Sequence, residues 1–281
     1  MSGQDPHSMR CFALASSFVI AMLVFAGAAG ASTLAVGNAG VLRLVAKHGE
    51  VNHVTVRDAA PAGFFGYVVS DTAGLKARRG CIQESPTQAD CTVDDPATAM
   101  NVDDFVLDLG DLNDTSDVFT SNSATGVQVN GGLGDDLLSG GATVPTGSAY
   151  TVNGGPGDDT IDRINTNGDP IDINGGLGND TISTNGTVVS GTVRGGLGAD
   201  SITLGGDEHA SVAATVDGGP GPDVIEGGAH IVKPVFGGFG NDNINLPGAS
   251  SIDCGFGHDS YGVYEGQTAT HCEKPLLPPS V

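Results

Sequence analysis

Along the second half of the chain, pairs of aliphatic residues recur nine positions apart, with a glycine-rich polar stretch between the two members. The first members are Leu107, Val129, Val152, Ile173, Val193, Val216, Val235 and Ile252. The second are Ser116, Leu138, Ile161, Ile182, Ile202, Ile225, Ile244 and Tyr261, and of these only Ser116 cannot pack as an apolar group. Each pair predicts two short strands separated by a turn. A single unit cannot bury its two side chains, but stacked units can, with each strand pairing in parallel with its counterpart in the next coil. The expected fold is all-β: a parallel β-solenoid of about 20 residues per coil, with two thin sheets facing each other across aliphatic ladders.

Residues 32–100 carry no repeat. Leu42 and Leu44 alternate with polar positions, and Val54 and Val56 flank Thr55, which predicts short strands. Phe64, Phe65 and Tyr67 form the densest aromatic cluster after the first 31 residues. The segment reads as a small β cap domain covering one end of a solenoid that occupies 101–265, with a proline-containing tail at 266–281.

The turn inside each pair is nearly invariant. Gly-Gly-x-Gly-x-Asp occurs six times, at 131–136, 154–159, 175–180, 195–200, 218–223 and 237–242. The glycines are Gly131, Gly132 and Gly134; Gly154, Gly155 and Gly157; Gly175, Gly176 and Gly178; Gly195, Gly196 and Gly198; Gly218, Gly219 and Gly221; and Gly237, Gly238 and Gly240. The aspartates are Asp136, Asp159, Asp180, Asp200, Asp223 and Asp242, with degenerate copies at Asp114 and Asp259. The intervals between successive aspartates are 22, 23, 21, 20, 23, 19 and 17 residues. Glycine permits a positive φ that can turn carbonyls toward one point, and the aspartate adds a charged oxygen beside them. An oxygen-only ligand set suits a hard cation, calcium above all, which takes ~6–8 oxygens. One turn supplies about half such a shell, and the adjacent turn, ~4.8 Å away, supplies the rest. Eight aspartates leave seven gaps between coils, of which about four to six are expected to hold an ion. Asp135, Asp158, Asn179 and Asn241, just before the motif aspartates, are candidate auxiliary ligands. The opposite turns (Gly140-Gly141, Asn167-Gly168, Asn185-Gly186, Gly205-Gly206 and Gly227-Gly228) lack the following Gly-x-Asp, so metal is expected along one edge only.

The repeat resembles the RTX, or haemolysin-type, calcium-binding repeat, in which Gly-Gly-x-Gly-x-Asp-x-aliphatic units form calcium-loaded β-rolls in secreted bacterial proteins. The match is good over 131–245 and loose over about 108–262. The resemblance implies that the six motif aspartates are calcium ligands, with the Gly-Gly-x-Gly carbonyls completing the shells. Two departures stand out: the family repeats every nine residues and binds ions along both edges, whereas this chain has one full motif per coil. The layout looks like that of short secreted haemolysin-type calcium-binding proteins.

Composition sharpens the picture. Of 281 residues 45 are glycine, none is tryptophan and aromatics are 5%, so a thick globular core is not expected. Net charge is −22, and 101–265 holds 24 acidic residues against Arg163, Arg194 and Lys233. Such a segment repels nucleic acid and anionic membranes, and it repels itself unless cations sit within it. Two aliphatics per coil are too few to offset the entropy of ordering it, so folding is expected to depend on calcium. At the N-terminus, Arg10 precedes an apolar run from Cys11 to Gly27, and Ala29-Gly30-Ala31 supplies small residues, so 1–31 reads as a secretory signal cleaved before Ser32. A retained anchor is the alternative. Four cysteines remain beyond it, and an even count in an exported chain predicts two disulfides. Local pairing, Cys81 with Cys91 and Cys254 with Cys272, is favoured among three connectivities; a thiolate metal site is the other option, though no pair has Cys-x-x-Cys spacing.

No catalytic set is evident. The histidines beyond the leader (His48, His53, His209, His230, His258 and His271) have no ligand spacing. Asp169 and Asp172 near Arg163 are the one acid–base grouping, and three basic residues across the solenoid make a lyase or epimerase site hard to assemble. The chain is therefore expected not to be an enzyme. The expected role is structural, adhesive or at a surface, with calcium and a cell-surface or matrix polysaccharide as partners, no nucleic acid and no membrane insertion. A carbohydrate-active enzyme on the same scaffold is the rival reading.

Overall fold

The computed structural model describes residues 31–37, 40–59, 66–91, 104–120, 126–142, 150–165, 170–184, 190–205, 211–228, 230–231, 233–262 and 264–276. Residues 1–30, which include most of the expected secretory signal, Phe64 and Phe65, Asp169, Gly206, His209, and the turns at 167–168 and 185–186 lie outside them.

The fold is an all-β parallel solenoid. One sheet takes, in spatial order, Leu75–Ala77, Ser32–Val36, Val41–Val45, Asp104–Asp111, Gly126–Leu133, Tyr150–Pro156, Ile171–Leu177, Gly191–Leu197, Thr215–Pro220, Val235–Phe239, Ser251–Phe256 and Thr268–Thr270. The other runs alongside it, from Ile82–Ser85, Gln88–Asp90, Tyr67–Asp71 and His53–Asp58 through Thr115–Thr120, Leu137–Ala142, Thr160–Asn165, Thr181–Thr184, Ser201–Leu204, Val224–Gly227 and Asn243–Asn245 to Ser260–Gly262 and Lys274–Leu276. Each coil contributes one strand to each sheet, and the glycine motif turns between them. Beyond Val41–Val45 and His53–Asp58 every pairing is parallel.

The aliphatic ladders are in register as the spacing requires. Val129 pairs with Leu107 and Val152, Ile173 with Val152 and Val193, and Val235 with Val216 and Ile252. On the facing sheet Ile161 pairs with Leu138 and Ile182, and Ile202 with Ile182 and Ile225. The first-sheet ladder from Leu107 to Ile252 and the second-sheet ladder from Leu138 to Ile244 are buried in one continuous core. Further inward residues widen that core: Phe105, Val127, Tyr150 and Ile171 lie two positions before the first ladder, and Val118, Leu204 and Leu246 lie two after the second. Ser116 is buried in the aliphatic ladder, and its backbone carbonyl accepts a hydrogen bond from Ser139.

The strands of 32–100 do not form a sheet of their own. Val41–Val45 and His53–Asp58 make a first coil in parallel register with the repeats, and beyond it antiparallel strands extend each sheet. Tyr67 from this region packs edge-on against Phe105 of the first repeat, with ring centroids 4.0 Å apart. Disulfides link Cys81 to Cys91 and Cys254 to Cys272, one at each end of the stack. Among the described residues there is no helix long and apolar enough to cross a membrane.

Ladder position sets the cost of a substitution. Ile182 is fully buried, whereas Leu177, third in its motif, is 49% exposed. Ile182→Ala should cost about 2–5 kcal/mol, and Leu177→Ala no more than about 0.5 kcal/mol. Chemical denaturation of both variants checks this; equal losses would contradict the register.

Candidate metal centre

Within each coil the chain leaves the first sheet through Gly-Gly-x-Gly, and the motif aspartate then points back inside. All eight motif aspartates, from Asp114 to Asp259, are at most 2% exposed. They form one column linked by hydrogen bonds from backbone to carboxylate. The N–H of Asp136 donates to Oδ1 of Asp159, Asp159 to Asp180, Asp180 to Asp200, Asp200 to Asp223, Asp223 to Asp242 and Asp242 to Asp259, all at 2.8–2.9 Å. Asp114 donates to Asp136 in the same way, at 2.8 Å. Two residues outside the motif close the column. Asn52 donates its N–H to Asp114 at 2.7 Å, and Glu273 accepts from Asp259 at 2.8 Å.

Only one oxygen of each carboxylate is used. Oδ2 of Asp114, Asp136, Asp159, Asp180, Asp200, Asp223, Asp242 and Asp259 is buried with no hydrogen-bond partner. A buried carboxylate oxygen left unsatisfied is costly, and a whole column of them demands a counter-group.

The three glycines of the motif serve different needs. The second and fourth positions have positive φ, for example 123° at Gly176 and 126° at Gly178. A Cβ there would meet a backbone carbonyl of the preceding coil, 2.1 Å from Gly155 O and 2.1 Å from Gly157 O respectively. The first glycine is different, because it faces inward beside its own aspartate. A Cβ on Gly175 would lie 2.4 Å from Asp180 Oδ2 and 2.4 Å from Gly195 O of the next coil. The same crowding recurs at Gly131, Gly154, Gly195, Gly218 and Gly237, the last against Asp242 Oδ2 and Cys254 O. Glycine thus keeps open a space where an unpartnered carboxylate oxygen and the next coil's carbonyl converge. In the two degenerate copies this position is Leu109 and Cys254, both fully buried. Six open cradles result, one for each full motif.

The donor set is oxygen only: one carboxylate oxygen and main-chain carbonyls per cradle. That is the chemistry of calcium rather than of zinc or copper. Among the described residues no group of three or more His, Cys, Asp or Glu side chains could hold a metal ion. An ion here would therefore rely on carbonyls beside the aspartates of adjoining coils. Asp135, Asp158, Asn179 and Asn241 stand outside the cradle. They are exposed, and their Oδ1 atoms accept the N–H of Asp158, Asn179, Ala199 and His258 in the following coil. They form a second, outer ladder running in the opposite sense. The interval pattern alone could not separate the two columns, since both share one period.

The acid–base grouping does not assemble. Arg163 pairs with Asp162 at 3.1 Å, and Asp172 pairs with Arg194 at 3.1 Å. Arg163 lies on the second sheet and Asp172 on the first, so adjacency in sequence does not bring them to one site. His48 and His271 pair with Asp111 and Asp253 at the surface. The chain matches no family model, and no curated protein or solved structure is significantly similar to it.

Burial pushes the column carboxyls upward, to about 7 for Asp136, Asp180 and Asp223 and about 6 for Asp114 and Asp242, with Asp159 and Asp200 raised as well. For Asp136 loss of water is the main cause. The N–H of Asp114 acts against it, and the charges of Asp159, Asp114 and Asp135 add to it. Unfolded aspartate titrates near ~3.9, so between ~4 and ~7 the folded chain holds more protons than the unfolded one. Stability from these groups is therefore complete below about pH 4 and lost as pH rises through about 6–7. In excess EDTA the chain should melt at a higher temperature at pH 4.5 than at pH 7.5, by calorimetry; the reverse order would place the carboxylates in water.

Proposed function

We propose that this chain is a secreted calcium-binding repeat protein in which Ca²⁺, held between successive Gly-Gly-x-Gly-x-Asp turns, drives folding and gives a rigid, acidic rod with a structural, adhesive or surface role. The observation that carries this reading is the column of buried, unpartnered Oδ2 atoms, six of them beside the carbonyl of the next coil in a space that only glycine leaves open. The likeness to the RTX repeat agrees with it. Asp136, Asp159, Asp180, Asp200, Asp223 and Asp242 would supply the charged oxygens. The carbonyls of Gly154, Gly175, Gly195, Gly218, Gly237 and Cys254 lie beside them. Calcium, when bound, supplies positive charge that neutralises the column and ties adjoining coils together. The chain's own residues do the rest: glycine clears the space, the N–H ladder fixes each carboxylate, and burial excludes water. The two disulfides accord with an oxidising compartment. No reaction is part of this reading, and its partners are calcium and, at the surface, polysaccharide.

Two measurements test it. Calcium titration followed by circular dichroism should show β structure forming at neutral pH as about six ions bind per chain; a β-rich spectrum in EDTA that calcium leaves unmoved would refute the coupling. Asp180→Asn separates a metal ligand from a plain ladder rung. The amide oxygen can still accept the N–H of Asp159, but the charge is gone. The variant should lose about one ion and melt lower than the parent in calcium at pH 7.5, yet melt no lower in EDTA at pH 4.5, where the parent carboxyl is itself uncharged. Equal destabilisation in both buffers would make the column a purely structural ladder.

A further inference from the structure

The last two copies of the motif differ from the others on their outer face. The third motif position is leucine or proline in the first five full copies (Leu133, Pro156, Leu177, Leu197 and Pro220) but phenylalanine at Phe239 and Phe256. Those two rings are exposed, 60% and 72%, and they stack with centroids 5.1 Å apart and planes 11° from parallel. Phe236 joins them from the outward face of Val235–Phe239, in register between Asp217 and Asp253. Together they line a groove of about 620 Å³, whose remaining polar lining is Asp217, Asp253, His271 and Glu273. Among the described residues no lysine or arginine lines it. Arg194, the register neighbour of Asp217, is turned to Asp172. His271 bonds Asp253 at 2.7 Å and so positions one carboxylate at the groove.

We propose that this groove binds a small organic cation, an ammonium group clothed in hydrocarbon. Aromatic faces attract such a cation, and carboxylates around them complement its charge. The volume is that of a small-molecule site. Inorganic calcium is a poor occupant, because phenyl rings offer no oxygen to a hard hydrated ion. An anion is opposed by three carboxylates on a chain of net charge −22. A neutral molecule would use the rings but not the charge of Asp217, Asp253 and Glu273. Glu273 touches both sites, since it also accepts the N–H of Asp259 at the end of the column, but the rings, Asp217 and Asp253 belong to strands of the first sheet and to no part of the column.

The test uses the full calcium-saturated chain and benzyltrimethylammonium chloride, read by isothermal titration and saturation-transfer NMR. Its uncharged isostere, neopentylbenzene, and methyl β-D-glucoside serve as comparators. The ammonium should bind, and the isostere at least about tenfold more weakly. Phe256→Leu keeps an apolar side chain but removes the ring. That variant and Asp253→Asn should each weaken binding about threefold to thirtyfold, with the circular dichroism spectrum unchanged. Absence of ammonium binding, equal binding of the isostere, preference for the glucoside, or affinity untouched by Phe256→Leu would each overturn the proposal.

Discussion

One buried carboxylate per coil, repeated at strand spacing through the inside of a thin solenoid, is the constraint on which the rest of this structure depends. Neighbouring charges about one strand spacing apart, ~4.8 Å, repel by roughly 3 kcal/mol at an effective dielectric of about 20. The single N–H that each carboxylate receives returns about 1.5–3 kcal/mol. The hydrogen bond therefore offsets about one neighbour. The second neighbour and the lost water remain uncompensated. Two things can relieve the strain: a proton on alternate carboxyls, or a cation shared between coils. Burial, which raises the carboxyl pKa values, favours the first. Since both act on the same oxygens, they compete.

The ends of the column follow from the same constraint. A ladder of N–H donors and carboxylate acceptors has one spare group at each end, and each is met by a residue outside the repeat. Asn52, itself buried and bonded through Ser32 to the satisfied carboxylate of Asp71, supplies the donor without adding a charge to the column. Glu273 supplies the final acceptor from a less enclosed position, next to the disulfide that ties Cys272 to Cys254. Leu109 and Cys254 fill the two terminal first-glycine positions with side chains. The column is thus open over six coils and plugged beyond them. At the C-terminal end the degenerate motif, the cross-link and the substitute ligand coincide, and only the strands Thr268–Thr270 and Lys274–Leu276 stack beyond them.

Much of this was legible before the structure. The nine-residue offset between aliphatics and the count of glycine turns predict the solenoid and its register, because a parallel stack admits one register once both ladders must be buried. Three things were not legible. The N-terminal strands read as a separate cap since they lack the repeat, yet Leu42 and Leu44 enter the same ladder as Phe105 and Leu107. Burial in a shared core needs only hydrophobic alternation, not the motif. The outer Asx column looked like part of the ligand set because Asp135 and Asp136 are adjacent. Adjacent residues near a turn face opposite ways, and only the inner one is buried. Which carboxylate each arginine takes was hidden as well: Arg163 pairs with Asp162 and Arg194 with Asp172, because nearness along the chain says little where successive strands belong to opposite sheets.

The uneven coil length carries the argument one step further. Intervals between motif aspartates range from 17 to 23 residues, while the segment from the first aliphatic to the second is nine residues in every copy. All the variation, from 8 to 14 residues, therefore falls on the stretch that leads through the opposite turn to the next coil. A connection between coils can lengthen by adding loop, because loop closure grows slowly in cost with length. The glycine turn cannot. One inserted residue would break the N–H to Oδ1 link to both neighbours and move a carboxylate out of line with its cradle. Rigidity along one edge and tolerance along the other is what a column of shared counter-charge requires, and a chain whose coils were held by hydrophobic packing alone would have no reason to distribute its length so unequally.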